Sequence, residues 1–463
     1  MKKITSRFWR PHARSTASVH DTGRVRITVF LCAATIAVGV SDRPAQAFEA
    51  DRTVAGILEQ AALRSQLHRR LMGRFAHPLG LFEPLRLDLN NVSDVGPPAA
   101  TPRGTRGRSL YGRLSQLNPA EGYAPEWQAD GTQVYPLARL HALGWLTAGG
   151  AAEHNPTSRI RHHFFDPKTG LGLVRPVGQT AAEASAFALH TGLSSMRQVM
   201  TGTALDGTGR AAPDWIVASE NDLGLPTFLA AYERAVLAPQ PAVRDAALAE
   251  ALLCAGGMMS VLSQMADPAY VRGDLATVLG GDGAARVAQR FGRAGVPALP
   301  RSEAAPPRRL RDLFADGEGG GLAESTARRC KPAWRCYSTD ATTQLSDAAQ
   351  GARRLLDYLF RSELRLTLQG GALHVIVDDG AIGSGTLTIL GEGSDGVRTA
   401  LTTVATPPTL VGGEVTQIAL ADSQMAGLSR LVVLFVGRDR QNEPLATSAH
   451  LLLGPVKAAA ATP

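Results

Sequence analysis

The stretch Leu253–Asp274, LCAGGMMSVLSQMADPAYVRGD, limits the possible folds of this chain more than any other. Leu252, Leu253, Met258, Met259, Val261, Leu262 and Met265 make its first part apolar on every side. A helix of that kind belongs at the centre of a bundle rather than on its surface. Gly256 and Gly257 lower intrinsic helicity, so their expected use is to let a neighbouring helix approach closely. Pro268 is expected to end or kink the helix, and Tyr270-Val271-Arg272-Gly273-Asp274 leaves it.

The 463 residues give room for two domains, or for one large domain with an appendage. Residues 1–47 read as a secretory signal. Basic residues from Lys2 to Arg26 precede the apolar run Ile27–Val40, and Ala45-Gln46-Ala47 supplies small residues for cleavage. The expected location is therefore exported, periplasmic or extracellular, with Phe48 as the first mature residue. The leader holds eight Lys and Arg against two Asp, a net of +6, which leaves about +1 of the formal +7. The mature chain thus gives no strong nucleic-acid signal. No later segment is expected to reach membrane-spanning length. Cys330 and Cys336 are a disulfide candidate in an oxidising compartment, subject to geometry. Cys254, in the apolar helix, reads as a small buried side chain.

Val54–Leu71 has the spacing of one amphipathic helix, with His68 on its solvated face. Residues 90–108 read as loop, and Pro136–Ala148 as a helix with His141 in the core. Glu153–Gly172, EHNPTSRIRHHFFDPKTGLG, holds the densest histidine group, His154, His162 and His163, ahead of a turn at Asp166–Gly170. Asn221–Gly224 is a loop leading to Pro226 and a helix, residues 316–321 are a linker, and Asp347–Leu364 is a last amphipathic helix. From about Arg365 the pattern becomes alternation: LRLTLQ, ALHVIVDD, GTLTILG, VTQIALA and RLVVLFVG. Short strands divided by Gly, Asp and Pro predict a β-sandwich of accessory role, with His374 and His450 on its strands or edges.

Several of these stretches resemble the zinc-dependent phospholipase C/P1 nuclease superfamily. Its central helix carries a pattern close to G-x-x-x-H-x-x-x-D-M-x-x-P-x-H-V-R-x-D. This chain keeps Gly256, Met265, Pro268, Val271, Arg272 and Asp274, but has Ser260, Gln264 and Tyr270 at the three metal-ligand positions. HHFFDPKTGLG is similar to the family's H-F-x-D-P-x-T-G-x-G, which carries metal binding onto His163. Glu153 or His154 stands near the place of an acidic ligand or general base. N-D-L-G-L-P and the helix at 347–364 resemble a secreted bacterial subgroup. The resemblance implies a mainly α fold: a phospholipase C/P1 nuclease-like helical domain at 48–364, then a small C-terminal β-sandwich at 365–463.

The family hydrolyses phosphodiesters with clustered zinc ions, which lower the pKa of a water and neutralise charge on the phosphate. Such a site needs several imidazole and carboxylate ligands, and Ser260 and Gln264 are neutral. No histidine occurs between His190 and His374, so the family's later ligand pair is absent. The first reading is a protein whose hydrolysis is lost or impaired and whose role is binding or structural, a pseudoenzyme. The alternative is an active metal-dependent ester hydrolase with a reduced site of fewer zinc ions, using His163 and His154 as ligands and Glu153 as base. A metal-free constellation has least support, since no G-x-S-x-G elbow, phosphate-cradling glycine loop or Cys/His pairing is present. The implied ligand is a phosphodiester or lipid-like molecule, and no protein partner is indicated.

Overall fold

The helix Pro241–Ser263 has 17 of its residues buried, Ala247 through Ser263 without a break. The stretch Pro241–Ala266 is long and apolar enough to cross a membrane, which corrects the expectation that nothing after the leader reaches that length. Yet 94% of its most apolar window is buried inside the protein, as a central bundle helix requires. The computed structural model describes residues 53–89, 92, 105–117, 126–128, 137–173, 209–272, 295–300, 307–318, 320–329, 341–406 and 409–453. The leader at 1–47, Asp274 and the Cys330–Cys336 candidate lie outside these residues.

In chain order the helices are α1 (Ala55–Arg64), α2 (Leu67–Phe75), α3 (Thr105–Leu114), α4 (Ala142–Glu153), α5 (Ala212–Val217), α6 (Leu225–Leu237), α7 (Pro241–Ser263), α8 (Pro268–Arg272), α9 (Leu322–Arg329), α10 (Ala341–Leu359) and α11 (Asp422–Met425). The strands of the helical part are β1 (Pro84–Leu87), β2 (Glu126–Gln128) and β3 (Leu137–His141). Those of the C-terminal part are β4 (Glu363–Gln369), β5 (Ala372–Asp379), β6 (Ala381–Gly383), β7 (Gly385–Gly393), β8 (Arg398–Ala405), β9 (Thr409–Val411), β10 (Val415–Ala419), β11 (Leu428–Arg438) and β12 (Pro444–Leu452).

Three local expectations need correction. The single helix at 54–71 is two helices, because the Ser65 hydroxyl donates to the Ala62 carbonyl at 2.8 Å and accepts the Leu67 amide at 3.1 Å. That closes one helix and opens the next, as a cap does. Residues 137–141 are a strand rather than the start of a helix, and His141 is exposed rather than in the core, its Nδ1 bonded to the Phe82 carbonyl at 2.8 Å. The basic run expected as loop up to residue 108 already enters α3 at Thr105.

The C-terminal strands form two layers. One is the three-stranded order β10-β5-β4 and the other the four-stranded order β12-β11-β7-β8. Leu364, Leu366, Leu373, Val375, Val377 and Ile418 of the first share a core with Leu387, Ile389, Leu431, Val433 and Phe435 of the second. On β11 the alternate residues Val432 and Leu434 belong to the core of the helical part. Both faces of this strand are therefore buried, which explains its unbroken apolar run.

Two polar clasps hold sandwich and helices together. Arg74 of α2 donates to the Phe360 and Ser362 carbonyls at 2.7 and 2.8 Å, covering the end of α10. Arg361 then reaches Asp439 at 2.9 Å and the Pro444 carbonyl at 2.7 Å. On another side, buried Glu392 of β7 receives Arg398 and Arg430 at 2.7 Å each and Arg244 of α7 at 3.5 Å.

Candidate functional site

The site is built where α4 crosses α7. A Cβ on Gly149 would lie 1.9 Å from the Leu253 carbonyl oxygen, and one on Gly256 would lie 1.9 Å from that of Leu146. Only glycine permits this backbone contact, so the expectation of close approach at Gly256 holds. The crossing sets Glu153 and His154, at the end of α4, beside Ser260 and the residue after α7, Gln264. The short helix Thr157–His162 then turns the chain back and delivers His163.

These side chains form one buried chain of hydrogen bonds. The Gln264 amide oxygen lies 3.0 Å from His163 Nδ1, and its amide nitrogen contacts His154 Nε2. His154 Nδ1 donates to the Gly150 carbonyl at 3.0 Å, with the Ser260 hydroxyl 3.4 Å away. His163 Nε2 is 3.3 Å from Glu153 Oε1, which also accepts from the Trp215 indole at 2.8 Å. Glu153 Oε2 receives Arg159 at 2.5 Å, and Arg159 continues to Asn221 at 2.7 Å and Asp222 at 3.0 Å. Arg113 pairs with Asp222 from the far side.

The amide orientation fixes which ring nitrogens donate and which accept. In this orientation Gln264 Oε1 accepts from His163 Nδ1 and Glu153 Oε1 accepts from Nε2, so both His163 nitrogens serve as donors. His154 accepts at Nε2 and donates at Nδ1, which makes it neutral. Turning the amide over would exchange the donor and acceptor roles at the two rings. Burial, and then the neighbouring His163, push His154 down to about 4, in agreement with a neutral ring. Burial alone would raise Glu153, but Arg159 and His163 outweigh it and hold this carboxyl far below the usual carboxylate range.

Of the residues singled out in the sequence, Glu153, His154, His163, Ser260 and Gln264 meet here. Tyr270 does not join them. Its ring packs 4.8 Å from Phe164, and its fully buried hydroxyl has no hydrogen-bond partner among the described residues. His162 stands aside, half-buried and stacked on Trp215 at 4.1 Å. Trp215, Arg159, Arg113, Asn221 and Asp222 were not anticipated. The loop Asn221–Gly224, visible in the sequence, is what presents two of them.

A zinc ion needs imidazole lone pairs that converge. Both nitrogens of His163 are committed as donors, and the one lone pair of His154 takes the Gln264 amide. Among the described residues no group of three or more His, Cys, Asp or Glu is placed to hold a metal ion. The residues present do not fit the family's zinc cluster. Their geometry supports a sealed polar core, since Glu153 and His163 are wholly inaccessible to solvent and His154 is 4% exposed.

No family model matches the chain, and no curated protein matches it. Among solved structures it aligns with the alpha toxin from Clostridium absonum at 12% identity, over 88% of this chain and 95% of that one, with a TM-score of 0.26. It also aligns with the alpha-toxin of an avian strain of Clostridium perfringens at 10% identity, over 87% and 98% of the two chains, with a TM-score of 0.24. Scores this low carry no argument about function.

Proposed function

We propose that this chain is an exported phospholipase C/P1 nuclease-like protein that has exchanged the zinc cluster for a hydrogen-bonded core and serves as a binding or structural protein. One observation carries the reading: the Gln264 amide joins His163 to His154, at the position where the resembled family has a metal-bridging aspartate. A carboxylate shared by two cations offsets their repulsion, while an amide has no charge to do so. It offers instead one donor and one acceptor, which two imidazoles can satisfy without metal. A ligand of the implied class, a phosphodiester or lipid-like molecule, would then be bound without turnover.

The test is elemental analysis of protein purified without chelators, together with hydrolysis of a soluble phosphodiester in added zinc. The expected result is no stoichiometric zinc and no hydrolysis. The variant Ser260→His, Gln264→Asp, Tyr270→His is expected to gain bound zinc, because its first two changes set an imidazole and a carboxylate beside His154 and His163. A cluster of zinc in the unaltered chain would overturn the proposal. So would about one zinc per chain with an esterase activity that His163→Ala abolishes, the signature of a reduced catalytic site.

A further inference from the structure

The surface beside α2 and β1 combines exposed apolar tips with exposed guanidinium groups. Leu79 and Phe82 bracket a tight turn and are 53% and 52% exposed, and Met72 is 43% exposed. The turn is built rather than loose. Gly80 has φ +54, and a Cβ there would meet His68 Nδ1 at 2.6 Å, so the ring of His68 closes over the turn. His68 also accepts the Leu81 amide at 3.3 Å and packs edge-on to Phe82 at 6.2 Å. Met72 lies one helical turn from His68 on the same face of α2.

From Phe82 the chain passes into β1. The Phe82 carbonyl holds His141, and His141 pairs in register with Pro84. Two residues further along the same sheet face, Arg86 stands directly opposite Arg139, and both are exposed. Like charges directly opposite one another on a sheet are destabilising. Neither guanidinium takes part in an ion pair among the described residues. On the other side, Arg139 pairs in backbone register with Glu126 of β2.

We propose that this face seats on an anionic lipid bilayer, with Phe82 and Leu79 entering the boundary between headgroups and acyl chains and Arg86 and Arg139 facing lipid phosphates. Aromatic side chains favour that boundary, and basic residues near it are drawn to anionic headgroups. A polyanion such as DNA would use the arginines but leave the apolar tips in water, so the tips favour lipid. The proposal rests on the surface alone and is independent of the buried site.

The test uses the full chain and vesicles of phosphatidylcholine, alone or mixed equally with phosphatidylglycerol. Phe82→Trp reports on this turn, read as quenching by acyl-brominated phosphatidylcholine beyond that of the unaltered chain. The expected result is added quenching in the anionic vesicles. Partition of the chain itself should fall about thirtyfold in Arg86→Gln, Arg139→Gln, with a further fall in Leu79→Ser, Phe82→Ser. These side chains are exposed, so an unchanged melting temperature certifies the fold of each variant. Vesicle binding without added quenching at position 82 would overturn the proposal by assigning contact to another segment. Equal partition of all variants would do the same. Binding to duplex DNA that survives Leu79→Ser, Phe82→Ser, with no such partition into vesicles, would make the face a polyanion surface instead. None of these outcomes changes the zinc measurement, so the two proposals fail separately.

Discussion

Gln264 sets its amide between two buried histidines, its oxygen at His163 Nδ1 and its nitrogen at His154 Nε2. Gln264→Met keeps the length of the side chain but leaves His163 Nδ1 and His154 Nε2 buried without partners. Each orphaned group costs about 1–3 kcal/mol, so a loss of about 3 kcal/mol is expected from urea unfolding. His154 gives a pH dependence whose sign follows from its depressed pKa. It is neutral in the folded protein down to about 4, whereas the unfolded chain takes up its proton near 6.5. The unfolded state thus binds more protons in that window, and stability falls as pH drops through it, by about 3 kcal/mol in total. Glu153 stays charged throughout, because its folded pKa lies below the window. Melting temperatures from pH 7 down to 4 would show the slope, and His154→Asn should flatten it. His163 and Gln264 were legible in the sequence because their neighbours form a recognisable local pattern. Arg159, Trp215 and Asp222 were not, since a buried charge finds its partner through tertiary proximity, which no spacing along the chain encodes.

At the scale of elements, the crossing of α4 and α7 is what makes the site, and glycine makes the crossing. Gly256→Ala would place a methyl on the Leu146 carbonyl oxygen, a rigid backbone atom that cannot rotate away. Overpacking of this sort costs about 1–3 kcal/mol where neighbours can shift, and the upper end or more is expected here. Gly112→Ala on α3 is the control. Nothing lies within 4 Å of a Cβ at that position, so alanine there should be neutral or stabilising through helix propensity. Chemical unfolding of the two variants separates the cases, and equal stabilities would show that the contact is not as close as described. The sequence signalled Gly256 because a glycine within a long apolar helix needs a packing reason. It misled at residues 137–141, where Leu137, Leu140 and Leu143 have helical spacing. There tertiary pairing with β1 and β2 overrides the local pattern, and His141 is carried out to the surface.

In the whole molecule the β-sandwich shares its four-stranded layer with the helical core, and it is fastened to that core by charge as well as by apolar packing. Alternation along β4, β5, β7 and β10, and the short apolar run of β11 between turn residues, made the sandwich readable. Strands β8 and β12 escaped notice because RTALTTVA and PLATSAHLL are rich in small and hydroxyl residues and lack a clean apolar alternation. Equally hidden was the clasp at Glu392, a single carboxylate, 7% exposed at the side chain, that serves three arginines from two strands and a helix. Arg398 also donates to the Val236 carbonyl at 2.7 Å, and Arg244 to that of Pro239 at 2.7 Å, so these guanidinium groups are held by backbone as well. Removing the carboxylate would leave the buried Arg398 and the half-buried Arg244 near each other without their shared counter-charge. Breaking a buried pair from one side costs about 3–5 kcal/mol, and Glu392→Ala is expected near that range. Arg430 is 23% exposed at the side chain, so solvent screens its charge, and Arg430→Gln should cost at most about 1 kcal/mol. The consequence should also be local. With the clasp gone, the corner between α6 and α7 loses its tie to β7 and β8, and amide exchange should quicken around residues 236–244 and 392–398 while the α4–α7 crossing keeps its protection. Uniform acceleration across both regions would show instead that sandwich and helices open as one unit, with the apolar face of β11 rather than the clasp setting their association.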